Sequence, residues 1–381
     1  MITRDLEETI RSKLPEKKVI IIFGARQVGK TTLLKTLFGE PNSSPDILWL
    51  NGDDSLSNNL LSDPSAVSLG NVVRGYKTVI IDEAQKIENI GLKLKILYDN
   101  YGEKIQFIAT GSSSFDLLTK VNEPLTGRKF TFWLYPPSLN ELVSKNKYPK
   151  EKSLLETRLL FGSYPAVVES ETSEQKKDLL RELTEESLYK DVLNLTGIIK
   201  TDYLRKILQA LAFQVGSQVN PSELASLVNL DRKTIDKYIT LLEESYIIFR
   251  LPSFSKNLRN ELKFSQKIYF YDNGIRNGLI NDFRPLSLRS DSGQLFENYI
   301  ASELKKKFPK DELYFWRTFD GAEIDFLVRT DGELRAFEVK YNPKKSAKLP
   351  ASFEKTYSPK SFSLINSENY IETLQNNNSL S

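Results

Sequence analysis

KVIIIFGARQVGKTTLLKTLF, Lys18 to Phe38, holds in order an apolar β-branched run, a glycine-punctuated loop and a stretch with helical periodicity. Such a strand, turn and helix belong to a layered α/β domain built on a buried parallel sheet. Gly24, Gly29, Lys30 and Thr31 also satisfy the G-x-x-x-x-G-K-[ST] spacing of a phosphate loop. Glycines let backbone N–H groups turn toward phosphates at a helix N-terminus, Lys30 can reach the β/γ oxygens, and Thr31 can ligate Mg²⁺. The expected cradle is Gly24, Ala25, Arg26, Gln27, Val28, Gly29, Lys30, Thr31 and Thr32, with ATP and Mg²⁺ as cofactors. The competing reading, a plain glycine turn, leaves the coincidence of strand, loop and helix unexplained.

Further on, the apolar run of TVIIDEAQ delivers Asp82 and Glu83 to its carboxyl end, the edge where open α/β sheets bind ligands. Asp82 is expected to hold Mg²⁺ through water, and Glu83 to orient and deprotonate the attacking water. A helix N-cap is the structural alternative for the pair. A carboxylate built to use water also argues against a small-molecule kinase, which must keep water from the γ-phosphate. IQFIAT then ends in GSSS, so Ser112 is the sensor candidate if that strand neighbours the phosphate-loop strand; a capped turn is the alternative. Arg128, in LTGRKF, is a charge suited to stabilising the transferring phosphoryl group, in cis or from a neighbouring subunit of a homo-oligomer.

Composition bounds the rest. The 381 residues suggest two or three domains, and 40% hydrophobic with 27% charged residues is ordinary globular protein. No apolar run approaches the roughly 18 residues that cross a bilayer, and the amphipathic start MITRDLEETIRSKL lacks the form of a secretory signal, so a cytoplasmic protein without a membrane partner is expected. Zero cysteines and zero histidines exclude disulfides, zinc ribbons, cysteine nucleophiles, Ser-His-Asp hydrolysis, histidine-metal proteases, zinc deaminases and histidine-dependent nucleases. Carboxylates and lysine remain as acid-base and metal-binding groups, suited to oxygen-liganded Mg²⁺ or Mn²⁺. A net charge of +3 does not announce a polyanion partner.

Three segments are expected: an ATPase core over 1–149, a helical lid and winged-helix-like region over 150–250, and an α+β module over 251–381. In the middle segment NPSELASLVNL and DRKTIDKYITLLEES give two helix starts, with Asn220 capping the first and Asp231 the second. Arg232, Lys233 and Lys237 on the second helix, followed by the strand YIIFRL, have the form of a winged helix able to lie on a phosphate backbone.

GARQVGKTTLL, IIDEAQKI, FIATGSSSFDLL, LTGRKFTFWLYPPSLNEL and GSYPAVV, taken together in this order, resemble the prokaryotic AAA+ family ATPases that carry a C-terminal domain of unknown function related to restriction-type nucleases. The resemblance covers nearly the whole chain. It implies that Gly29, Lys30, Thr31, Asp82 and Glu83 are Walker A and B residues, that Ser112 sits at sensor 1, and that the winged helix can pack as a lid beside the ATPase.

In the C-terminal module GAEIDFLVRT and ELRAFEVKY flank Asp331-Gly332, a two-residue type I′ hairpin signal. Pairing Thr330 with Glu333 sets Asp325 opposite Glu338 and Glu323 opposite Lys340, all on one face, with Ile324, Phe326, Phe337 and Val339 on the other. Asp, then Glu-x-Lys on the adjoining strand, resembles the PD-(D/E)xK nuclease core. There Asp325 and Glu338 would bind a second Mg²⁺ or Mn²⁺, Lys340 would position or activate water, and Glu297 on the upstream helix would supply a further acid. The expected whole is an ATPase acting on DNA through a winged helix and a restriction-endonuclease-like module. The rival is a nucleotide-dependent switch or scaffold whose C-terminal module binds a protein partner without cleaving DNA.

Overall fold

The computed structural model describes residues 2–112, 124–187, 201–255, 266–308, 312–318 and 320–376. They divide into two compact units, the first mainly Met1–Pro136 and the second mainly Pro137–Tyr189, Ile198–Glu243 and Ile247–Ser381. None of the described helices is long and apolar enough to cross a membrane.

The first unit follows the order α1 (Asp5–Lys13), β1 (Val19–Phe23), α2 (Lys30–Phe38), β2 (Ile47–Asn51), α3 (Ser55–Leu60), α4 (Ala66–Val73), β3 (Thr78–Asp82), α5 (Ile90–Tyr101), β4 (Gln106–Gly111) and β5 (Lys129–Trp133). Every residue of β1 and β4 is buried, the state that β-branched strands reach when helices cover both sheet faces. The five strands lie in the order β2-β3-β4-β1-β5, all parallel. Their carboxyl ends therefore share one edge, where Gly24, Asp82 and Gly111 emerge. Because β4 lies between β1 and β3, its last residues stand between the phosphate loop and the carboxylate pair.

The second unit begins with the helices α6 (Leu139–Asn146), α7 (Tyr148–Ser153), α8 (Leu155–Phe161), α9 (Pro165–Glu169) and α10 (Ser173–Glu182). Ser138 and Glu141 form a reciprocal capping box that starts α6. Then come α11 (Thr201–Phe213), β6 (Gln218–Val219), α12 (Pro221–Val228), α13 (Arg232–Glu244), β7 (Ile248–Leu251), β8 (Gln266–Phe270), α14 (Asn273–Ile280) and α15 (Ser292–Lys307). Asn220 accepts the Ser222 N–H and Asp231 the Thr234 N–H, at 3.0 Å each, so α12 and α13 are capped where the sequence signals them. A three-stranded antiparallel sheet, β6-β8-β7, accompanies this helix pair. GSYPAVV has a local explanation here. Gly162 has φ +71°, and a Cβ on it would overlap the Asp272 carboxylate, which accepts the Ser163 N–H at 2.6 Å and caps α14 through Gly274 and Ile275.

The last sheet has the order β12 (Ser361–Ile365), β11 (Glu333–Val339), β10 (Glu323–Thr330) and β9 (Glu312–Arg317), with α16 (Ala351–Tyr357) before β12 and α17 (Tyr370–Asn376) after it. Asp331 and Gly332 both have positive φ, +51° and +82°, and Thr330 pairs with Glu333 and Phe326 with Phe337. Strict alternation along β10 is not kept. The pairing with β9 shifts register between Ile324 and Leu327. Ile324 thereby joins Leu327, Ala336, Trp316 and Phe353 in one core cluster, while Phe326 packs on Tyr269 with ring centroids 5.5 Å apart. The expectation that Ile324 and Phe326 share a face is thus corrected, since a bulge adds one residue and moves every later side chain of the strand to the opposite face.

Candidate active site

The phosphate loop is shaped by close approach. A Cβ on Gly24 would overlap the Leu134 carbonyl oxygen at the exit of β5, and Gln27 and Gly29 take positive φ, +61° and +98°. Gly29 then caps α2, turning its first N–H groups to the loop's concave side. Lys30 is buried, and its ammonium donates to the carbonyls of Gly24 (2.9 Å) and Ala25 (3.0 Å). Thr31 Oγ1 donates to Asp82 Oδ2 at 2.7 Å, which joins the first turn of α2 to the end of β3. The other Asp82 oxygen accepts from Thr110 on β4, and the Thr110 hydroxyl accepts the Glu83 N–H at 3.1 Å.

Glu83 adopts φ +48°, a left-handed conformation costly for a residue with a Cβ. Its carboxylate accepts from Gln85 Nε2 at 2.6 Å, and the same amide donates to Ser112 Oγ at 3.0 Å. One buried amide thus holds Glu83 and Ser112 together. Thr110 and Gln85 escape a reading of the sequence because both act through strand order, although the place of Gln85, two residues after Glu83, is a signal that could have found it.

Arg128 requires correction. Its neighbour Lys129 pairs with Val19 at the start of parallel strands β5 and β1, so it lies at the amino edge of the sheet. Five residues of strand, about 16 Å at 3.3 Å per residue, separate it from the loop edge, and its guanidinium pairs with Asp99 at 2.8 Å. A role for Arg128 on the phosphates in cis is out of reach.

In the second unit the expected acids do converge, but around ammonium groups. Lys340 lies 2.6 Å from Glu338 and 3.6 Å from Asp325, which also accepts the Val339 N–H at 2.8 Å. Lys267, on β8, lies 2.7 Å from Glu323 and 3.5 Å from Glu297, and Tyr269 from the same strand donates to Glu297 at 2.6 Å. Glu323 therefore pairs with Lys267 rather than with Lys340 as the hairpin register suggested. Among the described residues no group of three or more acids is arranged to hold a metal. The physical reason is that each ammonium bridges two of the four carboxylates, Lys340 between Asp325 and Glu338 and Lys267 between Glu297 and Glu323, so lysines stand where the second Mg²⁺ or Mn²⁺ was expected at Glu297, Asp325 and Glu338.

Burial, against the pull of Lys267, pushes the Glu297 carboxyl from 4.5 up to about 7. Burial also raises Asp325 and Glu338, the latter with help from the Asp325 charge. Lys267 is raised as well: burial works to lower it, and Glu297 and Glu323 outweigh that. Glu297 thereby links folding to pH. Between about 4.5 and 7 the folded chain keeps a proton that the unfolded chain has released, so stability falls as pH rises through that window. The melting midpoint of the second unit should therefore drop from pH 5 to pH 8, and Glu297→Gln, which keeps an acceptor for Tyr269, should flatten that slope. Equal slopes in the two proteins would rule the assignment out.

Comparison with known proteins places these features. Residues 16–143 match the family model described as an AAA domain, whereas 152–286 and 292–380 match two models described as domains of unknown function, DUF8612 and DUF4143. An uncharacterized protein of Mycobacterium tuberculosis is 27% identical over 339 residues, 88% of this chain and 73% of that protein. One from Methanocaldococcus jannaschii is 24% identical over 347 residues, 86% and 75% of the respective chains. Among solved structures, a signal transduction ATPase with a tetratricopeptide repeat sensor from Pyrococcus horikoshii aligns over 81% of this chain and 46% of its own, at 14% identity and TM-score 0.32. A DNA polymerase III gamma subunit-related protein of Thermotoga maritima aligns over 63% and 97%, at 13% identity and TM-score 0.28. Likenesses of that size assign no function. The phosphate loop and the carboxylate pair both lie within residues 16–143, the segment that matches the AAA domain model.

Proposed function

We propose that this chain hydrolyses ATP at a Mg²⁺-dependent centre made by Lys30, Thr31, Asp82, Glu83 and Ser112. The observation that carries this reading is the 2.7 Å hydrogen bond from Thr31 to Asp82, which brings the helix N-terminus and the carboxylate strand to one point. A hydroxyl and a carboxylate in contact are the hard oxygen donors that suit Mg²⁺. When bound, that ion neutralises charge on the β/γ-phosphate oxygens. Lys30 exchanges its two loop carbonyls for phosphate oxygens, a substitution that keeps a buried ammonium satisfied. Glu83 takes the proton of the attacking water, and Gln85 fixes where its carboxylate sits relative to Ser112. Release of phosphate from ATP, measured with and without Mg²⁺, tests the reading; no turnover in Mg²⁺ under any partner or DNA would reject it.

For the remaining chain, our proposal keeps the segments 1–149, 150–250 and 251–381 as a division of labour, with β8 supplying Lys267 and Tyr269 to the C-terminal cluster. Exposed Arg232, Lys233 and Lys237 on α13, next to a three-stranded antiparallel sheet, support a winged helix that contacts a phosphate backbone. The lysine-compensated cluster favours a switch or scaffold role for the module over DNA cleavage. Incubating the full chain and its Asp325→Asn variant with supercoiled DNA in Mn²⁺ separates the two. Equal, background-level nicking is expected, whereas nicking that vanishes in Asp325→Asn would restore the nuclease reading.

A further inference from the structure

We infer that Arg4, just before α1, is a positioning residue that holds the phosphate loop in its binding shape, an inference that rests on the ATPase reading above. One guanidinium nitrogen of Arg4 donates to the Val28 carbonyl at 2.8 Å, and the other donates to the Tyr135 carbonyl at 2.6 Å. Tyr135 is a fixed point. The preceding Leu134 donates its N–H to the Phe23 carbonyl at 2.7 Å, so the β5 backbone stays paired with β1 up to the start of the loop. The arginine thus fastens the far side of the loop to the strand on which the loop begins.

The consequence lies in the Val28–Gly29 peptide unit. In a trans peptide the C=O and N–H point in opposite directions. Holding the Val28 oxygen outward therefore turns the Gly29 N–H inward, toward the side on which a phosphate is bound. Gly29 sits at φ +98°, and a Cβ there would lie only 3.8 Å from the same Arg4 nitrogen, so the guanidinium rests against this peptide. Glycine is the residue most able to rotate that peptide away, since it crosses φ space with little penalty. A fixed donor removes the freedom that glycine introduces, and the loop meets its ligand already ordered.

Arginine suits this task because its planar fork spans two acceptors at once, whereas a lysine ammonium is a single point. The side chain is also well anchored. Ile2 and Ile10, on either side of Arg4, are buried at 8% and 0% exposure, and α1 packs against α2. Lys30 and Thr31 bind from inside the loop; Arg4 acts from outside it and touches no nucleotide.

Calorimetric titration of the full chain with ADP and with a β,γ-imido analogue of ATP tests this. Losing a charged donor to a backbone carbonyl should raise both dissociation constants by roughly tenfold in Arg4→Met. Arg4→Lys should recover part of the loss, and kcat at saturating ATP should stay within about twofold, because Glu83 and the Thr31–Asp82 pair are untouched. A purely structural role would instead lower the melting point of the ligand-free protein and leave both constants in place. Unchanged affinity in Arg4→Met, beside abolished binding in Lys30→Ala, overturns the inference while the ATPase reading stands; absence of binding by the unaltered chain overturns both. Should Arg4→Met fail to fold, Arg4→Lys decides, since wild-type affinity in that variant is incompatible with a two-carbonyl fork.

Discussion

Lys30→Ala is expected to abolish ATP binding and hydrolysis together, whereas Glu83→Gln should bind ATP and turn it over about 10²- to 10⁴-fold more slowly, the range for removing a general base. The two variants differ because the two side chains act at different stages. Lys30 is buried at the mouth of α2, and its ammonium lies against the phosphate loop through the Gly24 and Ala25 carbonyls. Its removal leaves the loop carbonyls of Gly24 and Ala25 without their donor as well as the phosphates without their cation. Glu83 contributes no such charge to ground-state binding; glutamine keeps its shape and its contact with Gln85 but cannot accept a proton. Equilibrium binding and single-turnover hydrolysis distinguish the two outcomes. Full turnover by Glu83→Gln would assign the proton to another group, and retained ATP affinity in Lys30→Ala would remove the phosphate-loop reading itself.

What the sequence discloses depends on how local each constraint is. The phosphate loop is legible because Gly24, Gly29, Lys30 and Thr31 act through backbone turns and a helix start only a few residues apart. The Asp331-Gly332 hairpin is legible for the same reason: two positive φ values decide the register of two strands. Strand order is not local, and the errors arise from it. Arg128 reads as a neighbour of the sensor because it comes shortly after β4, yet parallel pairing sends the chain back to the amino edge before β5 begins. Thr110 gains its link to Asp82 and Glu83 only because β4 inserts between β1 and β3. Lys267 stands in QKIYF, which reads as strand and nothing more, while its partners Glu297 and Glu323 lie on later elements. The four acids are visible in the sequence, but the second ammonium that changes their chemistry is not.

Glu151→Ala should destabilise the second unit by about 3–5 kcal/mol, the cost of leaving one member of a buried ion pair uncompensated. Glu151 and Arg158 have side chains 0% and 4% exposed and meet through two bonds, Nε to Oε1 at 2.7 Å and the second nitrogen to Oε2 at 3.0 Å. Asn146 adds a third donor at 2.7 Å, so the carboxylate is satisfied on both oxygens. Alanine strands a guanidinium that cannot lose its proton and has no water to turn to. Replacing both partners with leucine removes the stranded charge, so the double variant should be more stable than Glu151→Ala although it carries one more substitution. For a unit of this size the loss in Glu151→Ala corresponds to a fall in melting midpoint of about 10 °C. Denaturant titrations of the three proteins give the test: a cost under about 1 kcal/mol for Glu151→Ala, or a double variant less stable than the single one, would show that solvent reaches Arg158 and that the pair is not buried as described.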